Sequence, residues 1–157
     1  MYGTEGIVLK KLDVGEADTL YRIYTKDYGV IRALAQGVRK EEAKLRGHLE
    51  VLSLSRIQFI IGRGGEKLIG ATLAEFWPRM RAREQTLSLA AAAASEIDRQ
   101  CFPGEKDAAL WELLFGSFVA IDREGFLEED ASVFLANFRG RLRECLGYGA
   151  SEEEGIL

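Results

Sequence analysis

The sequence is poor in the residues on which most catalytic and metal sites depend. Its 157 residues hold two cysteines and one histidine. Cys101 and Cys145 stand far apart, with no CxxC pair and no disulfide framework, and read as two reduced thiols. A structural zinc site draws about four Cys and His ligands together, so no metal site and no metal requirement are predicted. Any nucleophile would have to use His48 as its base, and no motif surrounds that residue. No catalytic residue and no cofactor are therefore predicted. The carboxylate pairs Glu41 with Glu42 and Glu128 with Asp130 lie in charge-rich stretches and read as solvated surface groups. No stretch of about 18 apolar residues exists, which excludes a membrane-spanning helix. The start, MYGTEGIVLKK, lacks a basic segment followed by an apolar run, so no secretory leader is predicted. A cytoplasmic protein without membrane association is the expectation.

What is present is enough to fold. The apolar fraction is 47% and the aromatic fraction 10%, which argues against disorder. The net charge of −4 argues at first against a polyanionic partner. The average hides a division. Residues 1–83 carry 15 Lys and Arg against 10 Asp and Glu, whereas residues 84–157 carry 6 against 15. One half is thus net positive and the other strongly acidic, which suggests one surface for an anion and another for something else.

The pattern changes near Trp77-Pro78. Before it, strand signals recur. Ile7 and Leu9 alternate with Val8 and Lys10. Residues 19–25 (TLYRIYT), 30–37 (VIRALAQG), 54–61 (LSRIQFII) and 67–76 (KLIGATLAEF) complete a set of five strands. GEAD (15–18), DYG (27–29) and the glycines of 62–65 supply turns. Five strands, with a longer insertion between the third and fourth, suit a small closed barrel; an OB-type barrel is the common solution, and the pattern leaves an SH3-like barrel open. After Pro78 the apolar period becomes helical. Helices are predicted over residues 83–100, 106–122 and 130–146, with a break at Phe102-Pro103-Gly104 and a terminating glycine at Gly147. The predicted fold class is an all-β OB-like barrel (N-terminal) followed by a small α-helical domain. Residues 1–80 form the nucleic-acid-binding barrel in this reading and residues 81–157 the helical domain, with a frayed acidic tail, SEEEGIL.

Three groups of residues are candidates for recognition. Arg39, Lys40, Lys44 and Arg46 cluster in the connection between the third and fourth strands, diluted by Glu41 and Glu42. Lys and Arg side chains bind phosphate by charge and counterion release, and such a loop beside a barrel can form a groove wall; an ordinary solvated loop fits the composition equally. IGRGGEK (61–67) lacks phosphate-loop spacing and joins two strands, so it reads as a hairpin turn, with Arg63 and Lys67 placed to touch a nucleic-acid backbone. Tyr21, Tyr24, Tyr28 and Phe59 lie on strands or turns, where rings serve as core or as stacking platforms for bases. Tyr28, in a turn, is the most exposed candidate.

These residues resemble the RecO family of DNA repair and recombination proteins. The similarity runs in order through EGIVL, the GE-A-D turn, the T-K-D-Y-G turn and A-Q-G-V-R-K in residues 5–40. It continues in ATLAEFWP (71–78) and FRGRLRECLGYG (138–149). It is strongest over the first 40 residues and spans nearly the whole chain. The resemblance implies an OB barrel with a helical domain, binding to single- and double-stranded DNA, strand annealing and RecA loading. It implies RecR and the acidic, apolar-tipped tail of the single-strand binding protein, SSB, as partners. It also places Arg39 and Lys40 on the family's basic segment. The chain departs from the pattern in lacking the four-cysteine zinc module of many relatives, as a short form would. It also has Val51-Leu52 where the family has Pro-Phe. A protein-interaction adaptor with weak DNA affinity and an OB-type RNA-binding protein are the alternatives.

Overall fold

The computed structural model of the chain describes residues 1–38, 45, 47–101, 103–126 and 128–147. Five strands come first: β1 (Tyr2–Val14), β2 (Asp18–Thr25), β3 (Gly29–Ala35), β4 (Leu54–Gly62) and β5 (Gly65–Glu75). They close into a barrel in the order β1-β2-β3-β5-β4, with β4 returning to β1. Every pairing is antiparallel except that of β3 with β5, which is parallel. This strand order decides between the two barrels that the sequence pattern left open, in favour of the OB-like one. Inside it lie Val8, Tyr21, Ile23, Ile31, Ala33, Ala35, Val38, Leu49, Ile57, Phe59 and Leu68. Fully burying each of the larger aliphatic chains contributes about 1.5–3 kcal/mol.

β1 breaks the alternation expected from its sequence. Ile7, Val8 and Leu9 are all buried. The register of β1 on β2 shifts between Val8 and Lys10, which marks a bulge at Leu9. An extra residue in one strand reverses the faces beyond it. Val8 points into the barrel, and a regular strand would send Lys10 the same way. The bulge turns Lys10 outward instead, opposite Arg22.

Four helices follow. α1 (Pro78–Ala82) is a short turn that sequence periodicity did not announce, with proline at the first helical position, where its missing N–H costs nothing. The three expected helices are present as α2 (Glu84–Gln100), α3 (Ala108–Glu124) and α4 (Glu128–Cys145). Gly147 ends the last of them at φ 88°, its N–H donating to the Glu144 carbonyl. None of the described helices is long and apolar enough to cross a membrane.

The chain forms two compact units. The first comprises Met1–Trp77 together with Ile97–Asp107. In it, the carboxylate of Asp98 accepts from Lys10 and Arg22, and Pro103 bridges to Gly29 and Val30. The second comprises Pro78–Glu96 and the chain from Ala108 onward. There, Leu110, Leu113, Leu114, Phe118 and Ile121 of α3 are buried, as are Phe138 and Leu142 of α4. The Met80 N–H donates to Asp122 (2.9 Å), the Thr86 hydroxyl donates to the Met80 carbonyl (2.7 Å), and Arg139 donates to the buried Glu96 (2.9 Å).

Candidate nucleic-acid interface

The hairpin of β2 and β3 sets the register of the outer face. Thr25 pairs with Gly29 across the turn, and counting back places Arg22 opposite Arg32. Since the bulge puts Lys10 opposite Arg22 on the other side, three cations stand in one row across β1, β2 and β3. Directly opposed residues lie with Cβ atoms about 4.5–5.5 Å apart, and like charges placed so are destabilising. β5 extends the row. Lys67 is in register with Leu34, two residues beyond Arg32 on the same outward side of β3. Arg63 is exposed in the two-residue β4–β5 turn, whose flanking Gly62 and Gly65 pair with each other.

A groove of 350 Å³ runs along this strip, lined by Lys10, Lys11, Leu12, Leu20, Tyr21, Arg22 and Arg32. Among the described residues, the carboxylate that forms ion pairs with its cations is that of Asp98. Asp98 sits 3.0 Å from the Lys10 ammonium and pairs with the Arg22 guanidinium. Arg22 also donates to the Asp98 main-chain carbonyl at 3.2 Å. Partial burial works to raise the Asp98 carboxyl, but hydrogen bonds and charge from Lys10 and Arg22 outweigh it and hold the group below its ordinary value. No carboxylate among the described residues pairs with Arg32 or Lys67. The Tyr21 phenol is raised above its ordinary value by burial first, then by Glu50 and Asp13.

The sequence-predicted residues separate into three sets. Lys67 continues the strip, and Arg63 is exposed in the neighbouring β4–β5 turn. Tyr28 is half-buried and is the most exposed of the four candidate rings: it packs against the barrel core and meets Tyr2 and Phe59 edge-on at 5.4 and 5.5 Å. Tyr2, which the sequence reading passed over, stacks on Phe59 at 5.3 Å and is 39% exposed. Tyr21, Tyr24 and Phe59 are buried. Arg39, Lys40, Lys44 and Arg46 lie outside the described residues. Val38 before them and Leu49 after them are buried in the barrel core, and Leu45, between Lys44 and Arg46, packs against it. His48 serves the fold: its Nδ1 accepts from the Leu73 N–H at 3.1 Å and its carbonyl accepts from the Ser55 hydroxyl at 2.6 Å. Among the described residues, no group of three or more His, Cys, Asp or Glu side chains is gathered to hold a metal ion.

Comparison with known proteins agrees with the strand order. Residues 1–76 match the family described as "Recombination protein O N terminal". The chain is 30% identical to the DNA repair protein RecO of Dehalococcoides mccartyi (strain BAV1) over 173 aligned positions, covering 99% of this chain and 68% of that one. The chain belongs to the RecO family. It is also 28% identical to the DNA repair protein RecO of Geobacter metallireducens over 148 positions, 94% of this chain and 59% of that protein. A shorter stretch of 77 residues, 49% of this chain, is 40% identical to the RecO of Gloeothece citriformis and covers 27% of it. The two alignments that take in nearly the whole chain span 59% and 68% of the length of those relatives.

The segments that carry the RecO resemblance hold the barrel together. A Cβ at Gly6 would lie 2.5 Å from a methyl of Ile23, and one at Gly29, where φ is 65°, would lie 2.6 Å from the Glu105 carbonyl oxygen. The Thr25 hydroxyl donates to the Gly29 carbonyl and accepts from the Tyr28 N–H (2.7 and 2.9 Å), locking the T-K-D-Y-G turn. Asp27 accepts from the Thr4 hydroxyl at 2.7 Å. That bond chiefly, with Lys106 and Lys26 adding to it, holds Asp27 below its ordinary carboxyl value against a smaller effect of burial. Asp18, from the GE-A-D turn, accepts from the N–H of Gly37 at 2.7 Å. This bond ties the GE-A-D turn to the A-Q-G-V-R-K segment.

Proposed function

We propose that this protein is a DNA-binding recombination mediator that works without catalytic chemistry. Its barrel would take up single- and double-stranded DNA, and the bound strands would be annealed or presented for RecA loading. One observation carries the reading: an in-register row of Lys10, Arg22 and Arg32, continued by Lys67, on the outer face of β1, β2, β3 and β5. OB barrels bind oligonucleotides on the β2–β3 face and on the β1–β2 and β4–β5 loops. A stacked row of like charges is unfavourable in the free protein and becomes favourable once phosphates lie along it. Annealing requires binding and charge neutralisation, not a nucleophile. Residues 1–80 are the nucleic-acid-binding part in this proposal, and Arg39, Lys40, Lys44, Arg46, Arg63 and Lys67 would add phosphate contacts, with Tyr28 and Tyr2 offered to bases.

The partners proposed are RecR and the acidic, apolar-tipped SSB tail, in the cytoplasm. A groove of 620 Å³ on α3 and α4 supports the apolar part of the second, since Leu113, Phe134 and Phe138 line it; of its charged lining residues Arg141 suits an acidic tail, whereas Glu112 and Glu144 oppose one. The adaptor reading draws on the acidity of residues 84–157. Fluorescence anisotropy with a labelled single strand across a salt series separates the two. The mediator reading expects salt-sensitive binding whose log–log slope falls in magnitude by about 1.4 when Arg39 and Lys40 are both changed to Glu, at about 0.7 per lost single-strand contact. The loss should be nearly independent of base sequence. Weak binding with an unchanged slope in a folded double variant favours the adaptor.

A further inference from the structure

Asp98 is out of keeping with the strip it touches. It is the only carboxylate that the described ion pairs bring to Lys10 and Arg22, and it comes from the last turn of α2. Two oxygens of this one residue meet Arg22, the carboxylate and the main-chain carbonyl. That carbonyl is among the last four of the helix, which lack partners within it and carry the negative end of the helix dipole. The Asp98 side chain is 17% exposed, so the pair is partly withdrawn from water. Arg32 and Lys67, further along the same row, have no such partner among the described residues. A negative group thus occupies one end of a cationic row and leaves the other end open.

We propose that Asp98 holds the place of a nucleic-acid phosphate, and that a bound single strand exchanges its own phosphate for this carboxylate at Lys10 and Arg22. The proposal rests on the DNA-binding reading and deepens it into a regulated site. A strand first meets Arg32 and Lys67, whose charge is open to it. Completing the row requires Asp98 to leave, which withdraws a stabilising bond from the segment Ile97–Asp107. The carboxylate therefore lowers affinity for any short or weakly held anion. It favours a strand long enough to cover the whole row. No covalent chemistry is involved; one anion replaces another.

The test compares wild type, Asp98→Asn and Arg32→Gln with a fluorescein-labelled oligo-dT across a salt series, after circular dichroism of each. Exchange predicts that Asp98→Asn binds several-fold tighter with an unchanged salt slope, because both proteins finally neutralise the same number of phosphates. If Asp98 instead stays in place, its removal adds two contacts and steepens the slope by about 1.4; that outcome overturns exchange. Equal affinity in wild type and Asp98→Asn also overturns it. A second measurement keeps Asp98 intact. Cys101 lies three residues beyond it, half-buried, with its N–H donating to the Ile97 carbonyl. In a Cys145→Ser background, exchange predicts that the oligonucleotide speeds alkylation of Cys101 by neutral iodoacetamide, and an unchanged or slower rate overturns it. Arg32→Gln separates the two levels of the argument. If it weakens wild-type binding while Asp98→Asn changes nothing, exchange alone falls. If neither wild type nor Asp98→Asn binds DNA, the DNA-binding reading falls and takes exchange with it.

Discussion

Two outer faces of the same barrel treat charge in opposite ways. On the face of β1, β4 and β5 a groove of 690 Å³ has Gly3 and Gly70 among its lining residues, and Lys26 and Arg56 are matched there by Glu5 and Asp27. Glu5 stands in register with Arg56, the favourable opposed pair. On the face of β1, β2, β3 and β5 the register opposes Lys10, Arg22 and Arg32 instead, and Asp98 offsets only one end. Both faces come from the half of the sequence that is net positive. Segment charge therefore does not distinguish them; strand register does. An arrangement that costs stability on one face and is avoided on the other supports the proposal that places the nucleic acid on the first.

The largest expected effect comes from attacking the two faces separately. Changing Arg32 and Lys67 together to Glu should weaken single-strand binding by about a hundredfold, the scale of two charge-assisted contacts at roughly 1.5 kcal/mol each. The salt slope should fall in magnitude by about 1.4. The matched change of Lys26 and Arg56 to Glu alters the same formal charge on the balanced face and should leave affinity within about twofold, since it removes no contact of the strip. Equal losses from both double variants in anisotropy titrations would break the comparison and make net charge, not register, the determinant.

Much of this was legible in the sequence. The five strands, the change of period at Pro78 and the three long helices follow from alternation, turn residues and helical spacing. Arg63 and Lys67 were legible as hairpin cations. The row was missed for two physical reasons. Simple alternation puts Lys10 on the face of Val8, and only the bulge at Leu9 turns it to Arg22. The pairing of Arg22 with Arg32 was available, because the DYG turn fixes the count across β2 and β3, but it appears only when residues are read across strands. Asp98 was out of reach: it lies in the acidic half of the sequence, 76 positions from Arg22, and no local pattern links them. Tyr28 was legible as the most exposed of the four rings, because it sits in a turn; its contacts with Tyr2 and Phe59 were not, since they join residues distant in the sequence.

A smaller effect, on stability rather than binding, separates the glycines of the family segments from the strip. Gly6→Ala would set a methyl 2.5 Å from Ile23 inside a filled barrel, and Gly29→Ala would add a side chain at φ 65° against Glu105. Each should cost about 1–3 kcal/mol, the usual range for overpacking, read as a lower urea midpoint. Below that midpoint, the salt slope for single-strand binding should match wild type. A glycine variant that stays folded but changes the slope would mean that the turn itself touches DNA.

The smallest effect distinguishes the faces by acid titration. Asp27 on the groove and Asp98 on the strip both have carboxyls held below their ordinary value. A carboxyl with a depressed folded value contributes stability in full above its unfolded value, about 3.9, and loses it as pH falls through the folded value. Wild type should therefore gain stability over each Asn variant above about pH 4, and the curves should converge in stronger acid. The gap should be larger for Asp98→Asn, because its side chain is 17% exposed and answers two cations, whereas that of Asp27 is 38% exposed and its pair with Lys106 spans 3.4 Å in solvent. Added salt should narrow the Asp27 gap more than the Asp98 gap, since screening acts most on exposed charges. Urea melts of the three proteins between pH 3 and 7, at two salt concentrations, read both differences. If the Asp27 variant shows the larger gap, the groove, not the strip, is the face where a carboxylate does most to offset neighbouring positive charge.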